Sequence, residues 1–382
     1  MARERASRRM VHAGDIKERP LMTVPVRYSP SVETIAPDEQ ETTEGLKEQF
    51  KIILDTTSKD YAHAVRAVHA KGHGLARGTL DIAEDLPPEL AQGLFAQPGR
   101  YDAVLRLSTN AGDILDDSIR LPRGLALKIM GVAGERLAGT EGDQTQDFIM
   151  VNGPAFAAPD PKAFLGNLKL LAKTTDKAEG AKKLLSAIFR GAEATLEAVG
   201  VESSFLQTLG GAKPVHPLGA TYYSQTPFRY GDYIAKFSLA PISGIKDYAD
   251  ETINATGRPD AIRTAVNELL VEQGGVWELR VQLCTDLDAM PVEDASIAWD
   301  EEKSPFRKVA TLTVAPQIAW EHGVSEKTED ALAFSPWHGL AAHQPLGGVN
   351  RVRKDSYDLS ADFRSRFNGC PLHEPANIDA LR

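Results

Sequence analysis

Cysteine is nearly absent from this chain: Cys284 and Cys370 are the two among 382 residues. Two thiols so far apart supply neither a disulfide framework nor a cysteine-type zinc site, so a reducing compartment, the cytoplasm, is expected. Long apolar runs are also missing. The first residues, MARERASRRMVHAGD, are basic, but no apolar stretch follows and no small-residue cleavage site closes them. Neither a signal peptide nor a membrane span is expected. Positive charge is in deficit, with 43 Lys and Arg against 53 Asp and Glu, a net charge of −10 that argues against nucleic acid as the main partner. No G-x-G-x-x-G opens a helix after a strand, and there is no Walker-type phosphate loop and no G-x-S-x-G. What remains, 42% apolar and 25% charged, reads as an ordinary soluble globular protein long enough for a large core.

Residues 1–43 lack periodicity and carry Pro20, Pro25, Pro30 and Pro37, the marks of an extended arm; residues 44–382 are expected to form one domain. Leu46, Phe50, Ile53 and Leu54 recur at helical spacing over 43–60. Extended patterns follow at 67–82, 101–109, 125–130 and 147–151, joined by loops rather than by crossover helices. Residues 161–199 read as two helices divided near 174–176. Strand patterns return at 219–225, 233–239, 277–285 and 308–314, with an amphipathic helix at 261–272 whose Ile262, Val266, Leu269 and Leu270 share a face. No internal repeat separates the two sets of strands. The expected fold is α+β: a closed, eight-stranded antiparallel β-barrel with helices around it.

A Pro- and Gly-rich loop, FSPWHGLAAHQPLGGV, leads into NRVRKDSYDLSADFRSR at 350–366. On a helix Arg353 and Tyr357 stand one turn apart on one face, with Arg364 further along it. A guanidinium beside a phenol favours the phenolate, whose pKa is otherwise about 10, and a tyrosinate is a hard anionic ligand for ferric iron. The plain alternative is a basic surface helix with one tyrosine packed beneath it. Arg106 and Ser108 share one face of their strand among apolar neighbours, so the arginine needs an anion, either an internal carboxylate or the carboxylate of a ligand. His69 lies in a strand-like segment, where a lone histidine is more often structural. His69 and His73 make a poor metal pair, since the glycines around them disfavour a helix and a strand places them too far apart. Asp113, Asp116 and Asp117 lack calcium-loop spacing and read as a solvated turn.

Taken in order, five segments resemble the haem catalase superfamily, specifically its short catalase-related members, the catalase-like peroxidases. R-A-V-H-A-K-G at 66–72 is similar to the distal-histidine strand of that family; R-L-S-T at 106–109 and P-R-G-L-A-L-K at 122–128 are similar to its next two segments. Residues 147–156 resemble the stretch that carries two phenylalanines near the haem, here Phe148 and Phe156, and Arg353-x-x-x-Tyr357 with Arg364 matches the proximal tyrosine helix. The likeness runs from about residue 46 to 366.

The resemblance implies a haem, expected to be b-type, with Tyr357 as axial ligand to the iron and Arg353 keeping it ionised. It implies that Arg66, Arg106 and Arg364 bind the propionates and that Val68 lines the distal face. His69 would move a proton from the inner to the outer peroxide oxygen, with Ser108 fixing its tautomer. Two departures stand out. Catalases carry an asparagine before a threonine beside the distal histidine; Asp143-Gln144-Thr145 puts Asp143 there, or Gln144 if the loop is shifted, and an ionised aspartate cannot donate a hydrogen bond. The long C-terminal helical region of full-size catalases does not follow the tyrosine helix. The function expected is that of a haem-dependent peroxidase reducing hydrogen peroxide or organic hydroperoxides through a ferryl intermediate. Its electrons would come from a small reducing donor, and residual catalase activity would remain. One alternative is a fatty-acid hydroperoxide-converting enzyme like the allene oxide synthases, against which Val68 speaks, since those tend to carry threonine there. The other is a non-catalytic haem sensor, which would need neither His69 nor Ser108. A homo-oligomer with a threaded N-terminal arm is in keeping with the resemblance.

Overall fold

The computed structural model describes residues 24–119, 121–175 and 215–381. Nine strands are present among them: β1 Gly72–Ile82, β2 Arg100–Thr109, β3 Arg123–Met130, β4 Thr145–Val151, β5 Tyr222–Tyr223, β6 Phe228–Tyr230, β7 Tyr233–Ile242, β8 Gly275–Leu283 and β9 Arg307–Val314. Eight of them form an antiparallel ring in the order β1-β2-β3-β4-β5-β7-β8-β9, with β9 pairing back onto β1. The short β5 closes the ring: Val151 lies opposite Tyr223, and Tyr222 opposite Leu239. β6 forms a hairpin with β7 outside the ring.

Side-chain alternation decides what fills the barrel. Leu105 and Leu107 of β2, Leu125 and Leu127 of β3, and Phe148 and Met150 of β4 belong to the interior cluster with Phe95, Phe228, Tyr230 and Phe237. Phe148 and Phe237 approach to 4.4 Å between centroids. Each such buried side chain contributes about 1.5–3 kcal/mol relative to its exposed state. The intervening residues point outward, and the outer face of β2–β4 is therefore where Arg106, Ser108 and Ile149 are presented.

Five helices lie among the described residues: α1 Glu39–Tyr61, α2 Pro161–Thr175, α3 Ala261–Gln273, α4 Ser325–Ala331 and α5 Gly348–Asn368. Leu46, Phe50 and Leu54 of α1 pack with Leu165 and Leu168 of α2 and Val352 of α5 in a second cluster. Ile262, Val266, Leu269 and Leu270 of α3 are buried against the barrel. The start of α5 is pinned by charge: Gly347 N–H donates to Glu33 at 2.9 Å and Gly348 N–H to Glu293 at 2.7 Å. Arg351 bridges Glu33, Glu39 and Glu293 at 2.6, 2.8 and 3.1 Å. Carboxylates at a helix N-terminus oppose its partial positive charge, and here they also fix the axial position of the helix. At the other end Gly369, at φ +63°, takes the left-handed conformation that ends α5.

Several expectations change. α1 begins at Glu39, inside the stretch read as arm. The strand expected from residue 67 starts only at Gly72, because His69 at φ +55° turns the chain before it. Residues 219–225 contribute only the two-residue β5, and α4 and β6 had no clear signal. The second helix expected between 176 and 199 lies outside the described residues. Asp117, read as part of a solvated turn, is buried on Lys71 at 2.7 Å. Among the described residues no helix is long and apolar enough to cross a membrane.

Candidate active site

A cavity of about 700 Å³, partly open to solvent, lies between the outer face of β2–β4 and helix α5. Arg66, Val68 and His69 come from the turn before β1, Arg106 and Ser108 from β2, Gly124 and Ala126 from β3, and Ile149 from β4. Ser356, Tyr357, Ser360 and Arg364 reach it from α5, Phe50 from α1, and Phe334 from the loop after α4. Seven of the residues singled out in the sequence thus line one cavity: Arg66, Val68, His69, Arg106, Ser108, Tyr357 and Arg364.

His69 is held by its main chain as much as by its ring. Its left-handed backbone costs about 1 kcal/mol or more for a residue with a Cβ. That conformation is kept by its N–H, which donates to Asn110 O at 3.3 Å, and by its carbonyl, which accepts from Arg106 Nη2 at 3.0 Å. Nδ1 lies 3.0 Å from Ser108 Oγ, and Ser108 Oγ lies 3.4 Å from Gly124 O. A hydroxyl that donates to that carbonyl offers its lone pair to a proton on Nδ1, which leaves Nε2 as the basic nitrogen. A Cβ on Gly124 would overlap the imidazole and press on Ser108 Oγ, so the ring rests on bare backbone. Burial, then the charges of Arg106, Arg353 and Arg66, push the His69 pKa down to about 3. The imidazole is neutral, as a proton acceptor must be.

The arginines converge on one carboxylate. Arg106 Nε meets Glu329 Oε1 at 2.5 Å and Arg66 Nη1 meets Oε2 at 3.5 Å. Arg66 and Arg364 both donate to the carbonyls of Glu329 and Leu332 at 3.1–3.2 Å. Burial opposes the charge of Glu329, yet Arg106 and Arg66 hold its pKa below the usual carboxylate range. Burial and the repulsion of Arg106 and Arg364 push the pKa of Arg66 well down. Asp330, the next carboxylate, is engaged by His63 at 3.1 Å and Asn368 at 3.3 Å. Arg364 Nε is buried with no hydrogen-bond partner.

On α5, Arg353 Nη2 donates to Tyr357 Oη at 3.0 Å while Nη1 donates to Asn350 Oδ1 at 3.1 Å. Asn350 is fully buried and its carboxamide is occupied at both ends: Nδ2 donates to Pro227 O and Leu346 O, Oδ1 also accepts from Thr226 Oγ1, and its main-chain carbonyl accepts from Trp337 Nε1. The guanidinium is therefore fixed from behind as well as directed at the phenol oxygen.

Four residues lie elsewhere. Phe148 faces the barrel interior against Phe95 and Phe237, one step of strand alternation from Ile149, which does reach the cavity. Phe156 packs on Phe164 at 5.2 Å between centroids. Asp143 sits in the β3–β4 loop, its N–H on Thr140 O; burial and the charge of Glu374 raise its pKa, and its charged surroundings are Glu374, His338, Arg136 and Lys128. Gln144 is exposed. Neither Asp143 nor Gln144 stands beside His69. Conversely, Glu329 and Asn350 are central to the site and carried no signal in the sequence, because each acts on residues brought to it only by folding.

These residues fit a haem. Arg66 and Arg106 share the Glu329 carboxylate while Arg364 reaches only carbonyls and keeps an orphaned N–H, so positive charge is in excess at the cavity edge, as propionates would require. A phenol oxygen that accepts a hydrogen bond from an arginine suits ferric iron, and it faces the same cavity as His69.

The protein-family model described as Catalase matches residues 58–340. A comparison with curated protein sequences finds no match. Among solved structures, catalase A from Saccharomyces cerevisiae has a TM-score of 0.58 at 17% identity, covering 96% of this chain and 72% of that one. A fungal catalase gives 0.56 at 18% identity, with 95% and 72% covered, and a bacterial catalase gives 0.59 at 17% identity, with 94% and 67% covered. At such identities the structures attest the shared fold. The family model extends over most of the chain, from before His69 to the loop that precedes α5, and on that ground this protein belongs to the haem catalase superfamily.

Proposed function

We propose that the protein is a haem-dependent peroxidase that reduces hydrogen peroxide or organic hydroperoxides with electrons from a donor. The observation that carries this reading is the composition of the distal side. Among the described residues, the His69 ring is met by Ser108 and its carbonyl by Arg106, and no asparagine or glutamine lines the cavity. One base suffices to move a proton between the two oxygens of a hydroperoxide. Oriented oxidation of a second hydrogen peroxide would gain from a further carboxamide donor, and among the described residues none lines the cavity.

A haem bound here, proposed as b-type, would supply an iron that takes the hydroperoxide and the two electrons needed to break its O–O bond. The chain's own groups do the rest. Tyr357 ligates through its oxygen, with Arg353 balancing the charge, while Arg66, Arg106 and Arg364 hold the propionates. His69 Nε2 accepts the hydroperoxide proton and returns it to the departing oxygen, so that water or an alcohol leaves neutral. Ser108 keeps the proton of the resting imidazole on Nδ1. Apolar neighbours favour alkyl hydroperoxides alongside hydrogen peroxide.

Haemin-reconstituted protein given hydrogen peroxide and a small phenol, with an oxygen electrode running, tests this reading. Phenol oxidation faster than oxygen release supports it; oxygen release that dominates in the presence of the phenol makes the protein a minimal catalase.

A further inference from the structure

Of the four tryptophans, Trp277, Trp299 and Trp320 are buried at 1%, 4% and 5% exposure, whereas Trp337 reaches solvent. Trp337 stands on the loop between α4 and α5, beside Lys354, whose ammonium lies 5.4 Å from the indole. Its Nε1–H donates to Asn350 O at 2.8 Å, Asn350 Oδ1 accepts from Arg353 Nη1 at 3.1 Å, and Arg353 Nη2 donates to Tyr357 Oη at 3.0 Å. A partly exposed indole is thus joined by three hydrogen bonds and the covalent frames of Asn350 and Arg353 to the oxygen that faces the cavity. The described structure offers no equivalent for the other three rings: Trp277 Nε1 donates to Leu218 O, and those of Trp299 and Trp320 have no partner.

We propose that Trp337 is an electron-entry site, where aromatic reductants too large for the cavity are oxidised at the surface and their electrons pass through Asn350, Arg353 and Tyr357 to the haem. This rests on the peroxidase reading. The balance is simple. Each hydroperoxide takes two electrons and two protons as its O–O bond breaks to give an alcohol, or water, and water. Two phenolic or arylamine donors each release one electron and one proton. Trp337 would pass an electron toward the haem site, where the hydroperoxide is the oxidant, and would regain one from a donor in contact with the exposed part of its ring. Asn350 O accepts a hydrogen bond but is too weak a base to keep the indole proton, so the oxidised ring stays protonated as a cation radical.

The test uses the full haem-reconstituted chain. One equivalent of hydrogen peroxide is added without donor, in the presence of a spin trap, and adducts are mapped by peptide mass spectrometry alongside the electron paramagnetic resonance spectrum. Trp337→Phe is then compared with the parent protein on a free phenol and on the same phenol tethered to a dextran too large to enter. The expected result is a trapped adduct on Trp337 with a tryptophan cation-radical signal. In Trp337→Phe the tethered-phenol rate falls about tenfold or more relative to the free-phenol rate, at unchanged haem content. Oxidation of the free phenol with no adduct on Trp337, or with tethered and free rates in the same ratio in both proteins, overturns the proposal and leaves the peroxidase reading standing. Oxidation of neither phenol overturns both. The adduct map of the parent protein decides the matter even where the variant loses haem.

Discussion

Arg353 and Tyr357, one turn apart on α5, are joined by a 3.0 Å hydrogen bond from guanidinium to phenol oxygen, and Asn350 holds the same guanidinium from its other side. The pair is local in sequence, but its aim into the cavity depends on the barrel, through Thr226 and Pro227, which fasten Asn350. Tyr357→Phe removes the oxygen proposed to ligate the iron and is expected to lose most of the haem on reconstitution. Arg353→Gln keeps a donor but removes the charge. A hydrogen bond to a charged group is worth about 1.5–3 kcal/mol, so haem affinity should fall by about ten- to a hundredfold. Titration with haemin followed in the Soret band measures both.

His69→Ala should retain haem, because Tyr357 is the proposed ligand, yet react with hydrogen peroxide about 10²–10⁴ times more slowly in stopped-flow absorption. Ser108→Ala, which only frees the tautomer, should cost less. Gly124→Ala places a methyl group against the imidazole and should resemble His69→Ala in rate while leaving the base present. Equal rates in all three variants would mean that another group moves the proton.

Asp143→Asn restores the residue type found beside the distal histidine in catalases. Since Asp143 sits on the loop near Glu374 and His338 rather than in the cavity, the ratio of oxygen release to donor oxidation should stay where it was. A rise in oxygen release would show that the loop swings over His69 when haem is bound.

Lys128, Asp147, His338 and Glu374 form a buried charged cluster that ties the segment after α5 to the barrel. Lys128 meets Asp147 at 2.9 Å and Glu374 at 2.6 Å, and His338 lies 3.1 Å from Glu374. Burial opposes protonation of His338, but the nearby carboxylates of Asp147 and Glu374 prevail and raise its pKa to about 9. Against an unfolded value near 6.5, the raised pKa stabilises the fold fully below about pH 6.5, by about 3 kcal/mol, and that contribution is lost as pH rises through about 9. Urea midpoints measured from pH 6 to pH 10 should fall for the parent protein. His338→Gln should start lower and show a flatter profile over the same range.

Much of this protein was legible in its residues alone, wherever the physics is local. Alternation along β2 put Arg106 and Ser108 on one face, and the turn-by-turn spacing of α5 put Arg353 beside Tyr357, because strand and helix periods act over a few residues. Most strands were found for the same reason. Other features were decided only by tertiary structure. Whether Phe148 or Ile149 meets the cavity turns on a single step of alternation, and that is settled by which side of the sheet the barrel closes around. Glu329 reaches Arg106 from 223 residues away, beneath a glycine at 72 that has no side chain to exclude its carboxylate. Asp143 has the right sequence neighbours and the wrong spatial ones. Periodicity assigns a side chain to a face; only closure of the barrel and docking of α5 decide what that face meets.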